Sequence, residues 1–170
     1  MPDVPEAATA HGIEPIEPLP PAGAVEMVAL LEWLDGHNGA EDVFRISAET
    51  NQRFDKLIQV VKAAEMLDFV DTPQRQVALT ALGRAYVAAE QPQRKEIWRK
   101  QLLTLVLFRK VQDMLLRQAD HQLEKEVIVQ SMILEMPHEH YEQIFRTLVA
   151  WARFGDLFAY DARKRIVSMQ

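Results

Sequence analysis

Cysteine is absent from all 170 residues. That removes disulfides, thiolate metal sites and cysteine nucleophiles together, and it fits a reducing compartment. Glycine is scarce, at six with no cluster. Accordingly there is no Walker phosphate loop, no dinucleotide glycine fingerprint, no G-x-S-x-G elbow and no H-E-x-x-H zinc helix in the chain. No apolar run approaches the roughly 20 residues that span a bilayer. The first residues are acidic and proline-rich, where an export signal would be basic and then apolar. These absences lead us to expect a cytoplasmic protein that is not exported and does not insert in a membrane, with no catalytic residue, cofactor or metal to assign.

Basic residues are missing from positions 1–20, which hold Asp3, Glu6, Glu14 and Glu17. Six of the nine prolines fall within the first 22 residues, so residues 1–22 read as a solvated leader or linker. Ile13, Ile16 and Leu19 are its only candidates for docking on a surface. The net charge of −6 is uneven: residues 21–90 carry 11 acidic and six basic side chains, and residues 91–170 carry ten and 13. Only the second half attracts anions through its net charge. With 48% hydrophobic residues the chain is long enough to bury a core as one domain or two small ones.

The stretch from Trp151 to Met169 reads as a helix running into a hairpin. Tyr141, Ile144, Phe145, Leu148, Val149 and Trp151 return at helical spacing, and Gly155 stops them. Leu157 to Tyr160 suits a strand, Asp161 to Lys164 a polar turn of open type, and Ile166 and Val167 a return strand. The same grammar occurs earlier, where Phe54, Leu57, Ile58, Val61 and Ala64 lead through Leu67 and Asp68 into Phe69-Val70-Asp71, a turn at 72–75, and Val77-Ala78-Leu79. Asp68 before Phe69 and Val70 matches Asp156 before Leu157 and Phe158, so the chain is a duplicated module.

Residues 24–34 form a first helix with Val25, Val28, Leu31 and Leu34 on one stripe, closed by Gly36 and Gly39. Residues 41–48 form a second, with Val43, Phe44 and Ile46 inward, and residues 52–66 a third. Thr80 caps the next helix and Pro92 opens another. Residues 92–118 are strong helix formers, apolar nearly all round from Leu102 to Phe108, which predicts a bend near Thr104 or burial on several sides. In residues 125–136, Val127, Ile128, Met132 and Ile133 mark a further helix that Pro137 breaks, and His138 or Glu139 opens the last. The expected class is mainly α with short β-hairpins (α+β): two tandem winged-helix modules, 23–90 and 91–170, joined by a central helical spine.

His138-Glu139-His140 is a poor metal pair, since neighbours two apart on a helix diverge by about 200°. Glu41-Asp42 and Glu124 with Glu126 are simpler as helix starts, where negative charge opposes the helix dipole. The winged-helix order raises DNA binding, with Arg53, Lys56 and Arg146 on the two candidate recognition helices. Asp55, Glu65, Glu139 and Glu142 offset those cations, so nucleic acid is not the expected partner. The basic run Arg94, Lys95, Arg99, Lys100 and the tip Arg163-Lys164-Arg165 remain as candidate interaction surfaces. The Met and aromatic residues suit a core better than a ligand sensor.

Several segments resemble the AAA-associated C-terminal domain found on ATP-binding subunits of bacterial nitrate, sulfonate and taurine type ABC importers. They are Glu17-Pro18-Leu19-Pro20, Leu79-Thr80-Ala81-Leu82-Gly83-Arg84, Arg94-Lys95-Glu96-Ile97 with Gln101-Leu102-Leu103, and above all Trp151 to Asp161 with its Leu157-Phe158-Ala159-Tyr160-Asp161. The resemblance covers about residues 17–170. It implies a non-catalytic regulatory or assembly module that contacts an importer ATP-binding subunit or a second copy of itself, at the inner face of the membrane through such a complex. Residues 103–107 depart from the family by lacking a proline, and no nucleotide-binding segment precedes Ala24.

Overall fold

A computed structural model of the chain describes residues 15–170; Ile13 and the acidic residues before Pro15 lie outside them. The elements in order are α1 (Ala24–Asp35), β1 (Ala40–Asp42), α2 (Val43–Thr50), α3 (Phe54–Met66), β2 (Val70–Asp71), β3 (Gln76–Leu79), α4 (Ala81–Ala88), α5 (Gln91–Leu102), α6 (Val106–Leu116), β4 (Gln122–Glu124), α7 (Lys125–Glu135), α8 (Tyr141–Phe154), β5 (Phe158–Asp161) and β6 (Ile166–Met169), with one 3₁₀ turn at Pro73–Arg75. The fold is mainly helical, with two small antiparallel sheets ordered β1-β3-β2 and β4-β6-β5.

The order helix, strand, helix, helix, strand, strand thus occurs twice, over residues 24–79 and 106–169. The joints match as well. After α3, Asp68 turns left-handed (φ 63°) and the Phe69 N–H reaches back to the Ala64 carbonyl at 2.9 Å. After α8, Asp156 does the same (φ 53°), and the Leu157 N–H reaches the Ala152 carbonyl at 2.9 Å. This is a Schellman-type closure, and aspartate is among the few L-residues that visit the left-handed region readily. Each sheet also gains a bond just outside its first strand, Leu79 N–H to the Gly39 carbonyl at 2.8 Å and Met169 N–H to the His121 carbonyl at 3.2 Å.

Both hairpins are three-stranded sheets, because residues expected to start helices form short strands first. Asp42 shows why. Its carboxylate accepts the Phe44 N–H at 2.8 Å, and a capping residue must be extended (ψ 136°), so Ala40, Glu41 and Asp42 lie flat enough to pair with β3. Because α2 therefore starts at Val43, Val43 and Ile46 point inward and Phe44 rotates out to 53% exposure. Val25 is likewise outside, at 73%, and Met27, Leu30, Leu31 and Leu34 form the buried face of α1. On α7 only Ile128 and Met132 are buried, leaving Val127 and Ile133 exposed. The third helix begins at Phe54 rather than Gln52, since left-handed Asn51 (φ 53°) ends α2 and the chain needs two residues to turn. The last helix begins at Tyr141, because His138 is left-handed (φ 71°) and His140 is the residue before the helix.

The bend expected near Thr104 is a full break. α5 ends at Leu102, the Thr104 hydroxyl donates to the Gln101 carbonyl at 2.6 Å, and extended Leu105 (ψ 132°) starts α6. Leu102, Leu107 and Phe108 are all buried around that break, which accounts for a run apolar on every side.

One hydrophobic cluster runs through the described residues from Leu19 to Val167, and two indoles join its parts. Trp98 on α5 donates its Nε1–H to the Trp151 carbonyl at 2.9 Å, and Trp151 on α8 donates to the Ala22 carbonyl at 2.8 Å. Trp98 also packs edge-on to Phe154 at 4.8 Å and stacks near Phe69 at 5.9 Å. Gly155 makes room for it: a Cβ there would sit 2.7 Å from Trp98 Cδ1. The proline-rich leader is consequently no solvated tail over residues 16–22. Leu19 and Ala22 are buried and Ile16 packs on the core, since tryptophan's buried N–H needs an acceptor and the Ala22 carbonyl supplies it. Leu19→Ala should cost about 2 kcal/mol, the low end for a core leucine because a strap can settle into the gap. A urea midpoint equal to that of the parent chain would show that the strap carries no stability.

Candidate interaction surfaces

The basic run on α5 is largely engaged within the chain. Arg94 donates to the carbonyls of Ala89 (3.0 Å) and Val87 (2.8 Å), pairs with Glu32 at 3.0 Å, and lies over the Tyr86 ring. Lys95 pairs with Asp156 at 2.8 Å, and Arg99 donates to the Gly155 carbonyl at 2.8 Å. These contacts tie α5 to the end of α8. Lys100 is exposed and, among the described residues, pairs only with Glu96, one turn back. The hydrogen bond from Lys95 holds the Asp156 carboxyl below the usual carboxylate range. A carboxyl depressed in the folded state adds stability above its ordinary pKa and loses it as pH falls through the lowered one. Both groups are half exposed, so the effect is small.

The β5–β6 turn is built by Asp161, whose Oδ1 accepts the backbone N–H groups of Arg163 (2.9 Å) and Lys164 (3.2 Å). Arg165 follows in the left-handed region (φ 55°) and pairs with Glu126 at the start of α7, which lowers the Glu126 carboxyl. The side chains of Arg163 and Lys164 stand exposed with no carboxylate on them among the described residues. Reversing both to Glu should change stability by no more than about 0.5 kcal/mol. A larger drop in melting temperature would mean that the tip is packed.

Of the candidate recognition residues, Arg53 is held by Asp55 through two hydrogen bonds (3.1 and 2.9 Å), while Lys56 is exposed and unpaired among the described residues. Arg146 is exposed on α8 beside His140, Tyr141 and Glu142. No hydrogen bond or ion pair joins these residues to the α5 run or to the tip among the described residues. Likewise no three His, Asp or Glu side chains converge there, His138, Glu139 and His140 included.

A surface that the sequence reading did not find lies at the corner of α2 and α3. Phe44 and the partly exposed Phe54 stack face to face at 4.9 Å and 3° between planes, with the Arg75 guanidinium 6.0 Å from the Phe44 ring. Arg75 reaches there from the β2–β3 turn, where Gln74 (φ 48°) and Arg75 (φ 69°) are left-handed in succession. An L-residue pays roughly 1–2 kcal/mol for that conformation. Glycine at position 74 should therefore stabilise the chain by about 0.5 kcal/mol after its own entropy cost. A lower melting temperature for Gln74→Gly would count against strain at the tip. The one sequence signal for this surface is Asp42, whose capping role fixes the start of α2 and so the outward direction of Phe44.

The motif Leu79-Thr80-Ala81-Leu82-Gly83-Arg84 also acquires a physical reading. Leu79 is buried, the Thr80 hydroxyl accepts the Gly83 N–H at 2.9 Å to cap α4, and a Cβ on Gly83 would meet the Phe69 carbonyl oxygen at 2.1 Å. Only glycine lets α4 come so close to the chain entering β2. These residues fall within the 44–161 stretch that matches the model of the C-terminal AAA-associated domain. The chain belongs to that family. The match takes in the Trp151 to Asp161 segment and the α5 run, and leaves Glu17-Pro18-Leu19-Pro20 outside it. No curated protein and no solved structure matches the chain. An AAA-associated domain is an accessory domain, and no helix among the described residues is long and apolar enough to cross a membrane.

Proposed function

We propose that this AAA-associated domain is a non-catalytic regulatory or assembly module that works through protein contacts, with the ATP-binding subunit of a nitrate, sulfonate or taurine type ABC importer or with a second copy of itself. The observation that carries the reading is the family match over residues 44–161. In this reading the modules are 23–90 and 91–170, both of winged-helix type, a view supported by the repeated element order and by a sheet whose last two strands form a hairpin in each. Lys100, Arg163 and Lys164 are the members of the two basic sets that remain outward for a partner, and the complex would sit at the cytoplasmic face of the membrane.

The acidic balance of the chain and the pairing of Arg53 with Asp55 weigh against duplex DNA as the partner. Duplex binding should be no tighter than the roughly 10⁻⁴ to 10⁻⁶ M of non-specific contact, with no sequence preference. The direct test is sedimentation of the purified chain with a purified importer ATP-binding subunit. A complex that persists at physiological salt is expected. Two independent boundaries, together with nanomolar binding to a particular duplex that is lost on reversing Arg53, Lys56 or Arg146, would overturn the reading.

A further inference from the structure

Between α3 and the β2–β3 hairpin runs a groove of about 330 Å³ with an apolar floor of Val43, Ile58, Val61 and Val77. Lys62 and Arg75 stand on its rim, and neither has a carboxylate partner among the described residues. The one carboxylate lining it, Glu65, accepts the Thr72 hydroxyl at 2.6 Å. Phe44 and Phe54 are stacked beside Arg75, about half open to solvent at 53% and 40%. Ile58 and Lys62 follow Phe54 at four-residue steps, so one aromatic ring, one floor residue and one cation share a face of α3, and Phe44 on α2 stacks on that ring.

We propose that this groove is a docking site for an acidic segment of a partner protein, which lays an aromatic or aliphatic side chain against Phe44 and Phe54 and sets its carboxylates on Lys62 and Arg75.

Charge complementarity decides the occupant. Elsewhere many cations are satisfied internally, Arg45 with Glu41 and Glu49, Arg53 with Asp55, Lys110 with Glu135, Lys125 with Glu142 and Arg165 with Glu126, while Lys56, Arg163 and Lys164 stand without a carboxylate among the described residues on exposed surface. At the groove two cations are instead left facing an apolar floor, and one of them is carried by a turn held in an unfavourable backbone conformation. Sequence-local strain of that kind gathers at binding surfaces, where the side chain's position is what it secures. Exposed phenylalanines and an arginine are residue types enriched at protein interfaces. A basic segment would meet repulsion at the rim, and a purely apolar one would leave two charges desolvated without partners. The inference rests on the protein-contact reading only in taking the ligand to be a polypeptide.

The experiment is selection from a random-peptide display library on the immobilised full chain. Enriched peptides should combine an aromatic or aliphatic residue with several Asp or Glu. A synthetic peptide of that consensus should bind about tenfold or more weakly to Lys62→Glu/Arg75→Glu and to Phe44→Ser/Phe54→Ser. Its Lys-for-Glu counterpart should prefer the charge-reversed chain. Amide shifts of the parent chain on adding the peptide should centre on Phe44, Phe54 and Arg75, a readout that does not depend on any variant folding. Enrichment of neutral or basic peptides, no enrichment, or affinity unchanged in both variants would overturn the assignment. So would concentration-dependent dimers abolished by Phe44→Ser/Phe54→Ser, which would make a second copy the occupant. Binding seen only after removal of residues 1–14 would make the chain's own acidic segment the occupant and would equally overturn it. Failure here with a stable ATP-binding-subunit complex would remove the groove alone and leave the protein-contact reading standing.

Discussion

Trp151→Ala should destabilise the protein by about 3 to 5 kcal/mol, the cost of emptying a large buried aromatic site. The side chain is fully buried, stacks at 6.2 Å on Phe108, and donates its only hydrogen bond to the carbonyl of Ala22. Removing it opens a cavity where α8, α6 and the strap meet and leaves that carbonyl buried without a donor. Trp151→Phe separates the two effects. It keeps most of the volume and loses only the N–H, so the expected cost falls to roughly 1 to 3 kcal/mol. Urea unfolding of both variants is the check. A Trp151→Ala midpoint close to that of the parent would show that the indole does not tie the strap to α8.

Gly83→Ala should cost at least about 3 kcal/mol, at or beyond the top of the usual range for overpacking. The added Cβ meets a backbone oxygen, that of Phe69, at 2.1 Å, and Phe69 is itself fully buried against Tyr86 and Trp98. Neither partner can yield without moving a helix or a strand. Gly83 lies in α4, where alanine has the better helix propensity by roughly 1 kcal/mol. The sign of the change therefore discriminates. A chain that melts higher with alanine would mean that α4 stands off β2 by more than the structure has it.

Much of this architecture was legible in the sequence, because it follows from local chemistry. The helical spacing through Leu148 and Trp151, the stop at Gly155, the cap at Thr80 and the match of Asp68 with Asp156 all depend on residues within a few positions of one another. The first strand of each sheet was not legible. β1 and β4 are three residues long and are strands only because β3 and β6 lie alongside them. The strap was missed for a related reason: Leu19 sits among prolines and acids, and the indole N–H that needs the Ala22 carbonyl as acceptor belongs to Trp151, 129 residues beyond Ala22. The α5 run read as a surface because charge is visible in sequence, whereas its partners, Glu32, Asp156 and the Gly155 carbonyl, are brought to it by the tertiary fold. The Phe44 corner was hidden because the sequence reads Val43, Phe44 and Ile46 all as inward on a helix over residues 41–48, whereas α2 runs from Val43 to Thr50 and buries only Val43 and Ile46. Adjacent helical residues point about 100° apart, so with Val43 and Ile46 inward the neighbouring Phe44 turns to solvent.

The proposed action of this AAA-associated domain through a protein partner of the importer ATPase class is tested most directly by affinity purification of the full chain from its native cells. Recovered proteins should be identified and quantified at physiological and at raised salt. An ATP-binding subunit of an ABC importer enriched at both is the predicted result. Recovery of a defined DNA fragment instead, lost steeply as salt rises and with no ATP-binding subunit present, would contradict the account.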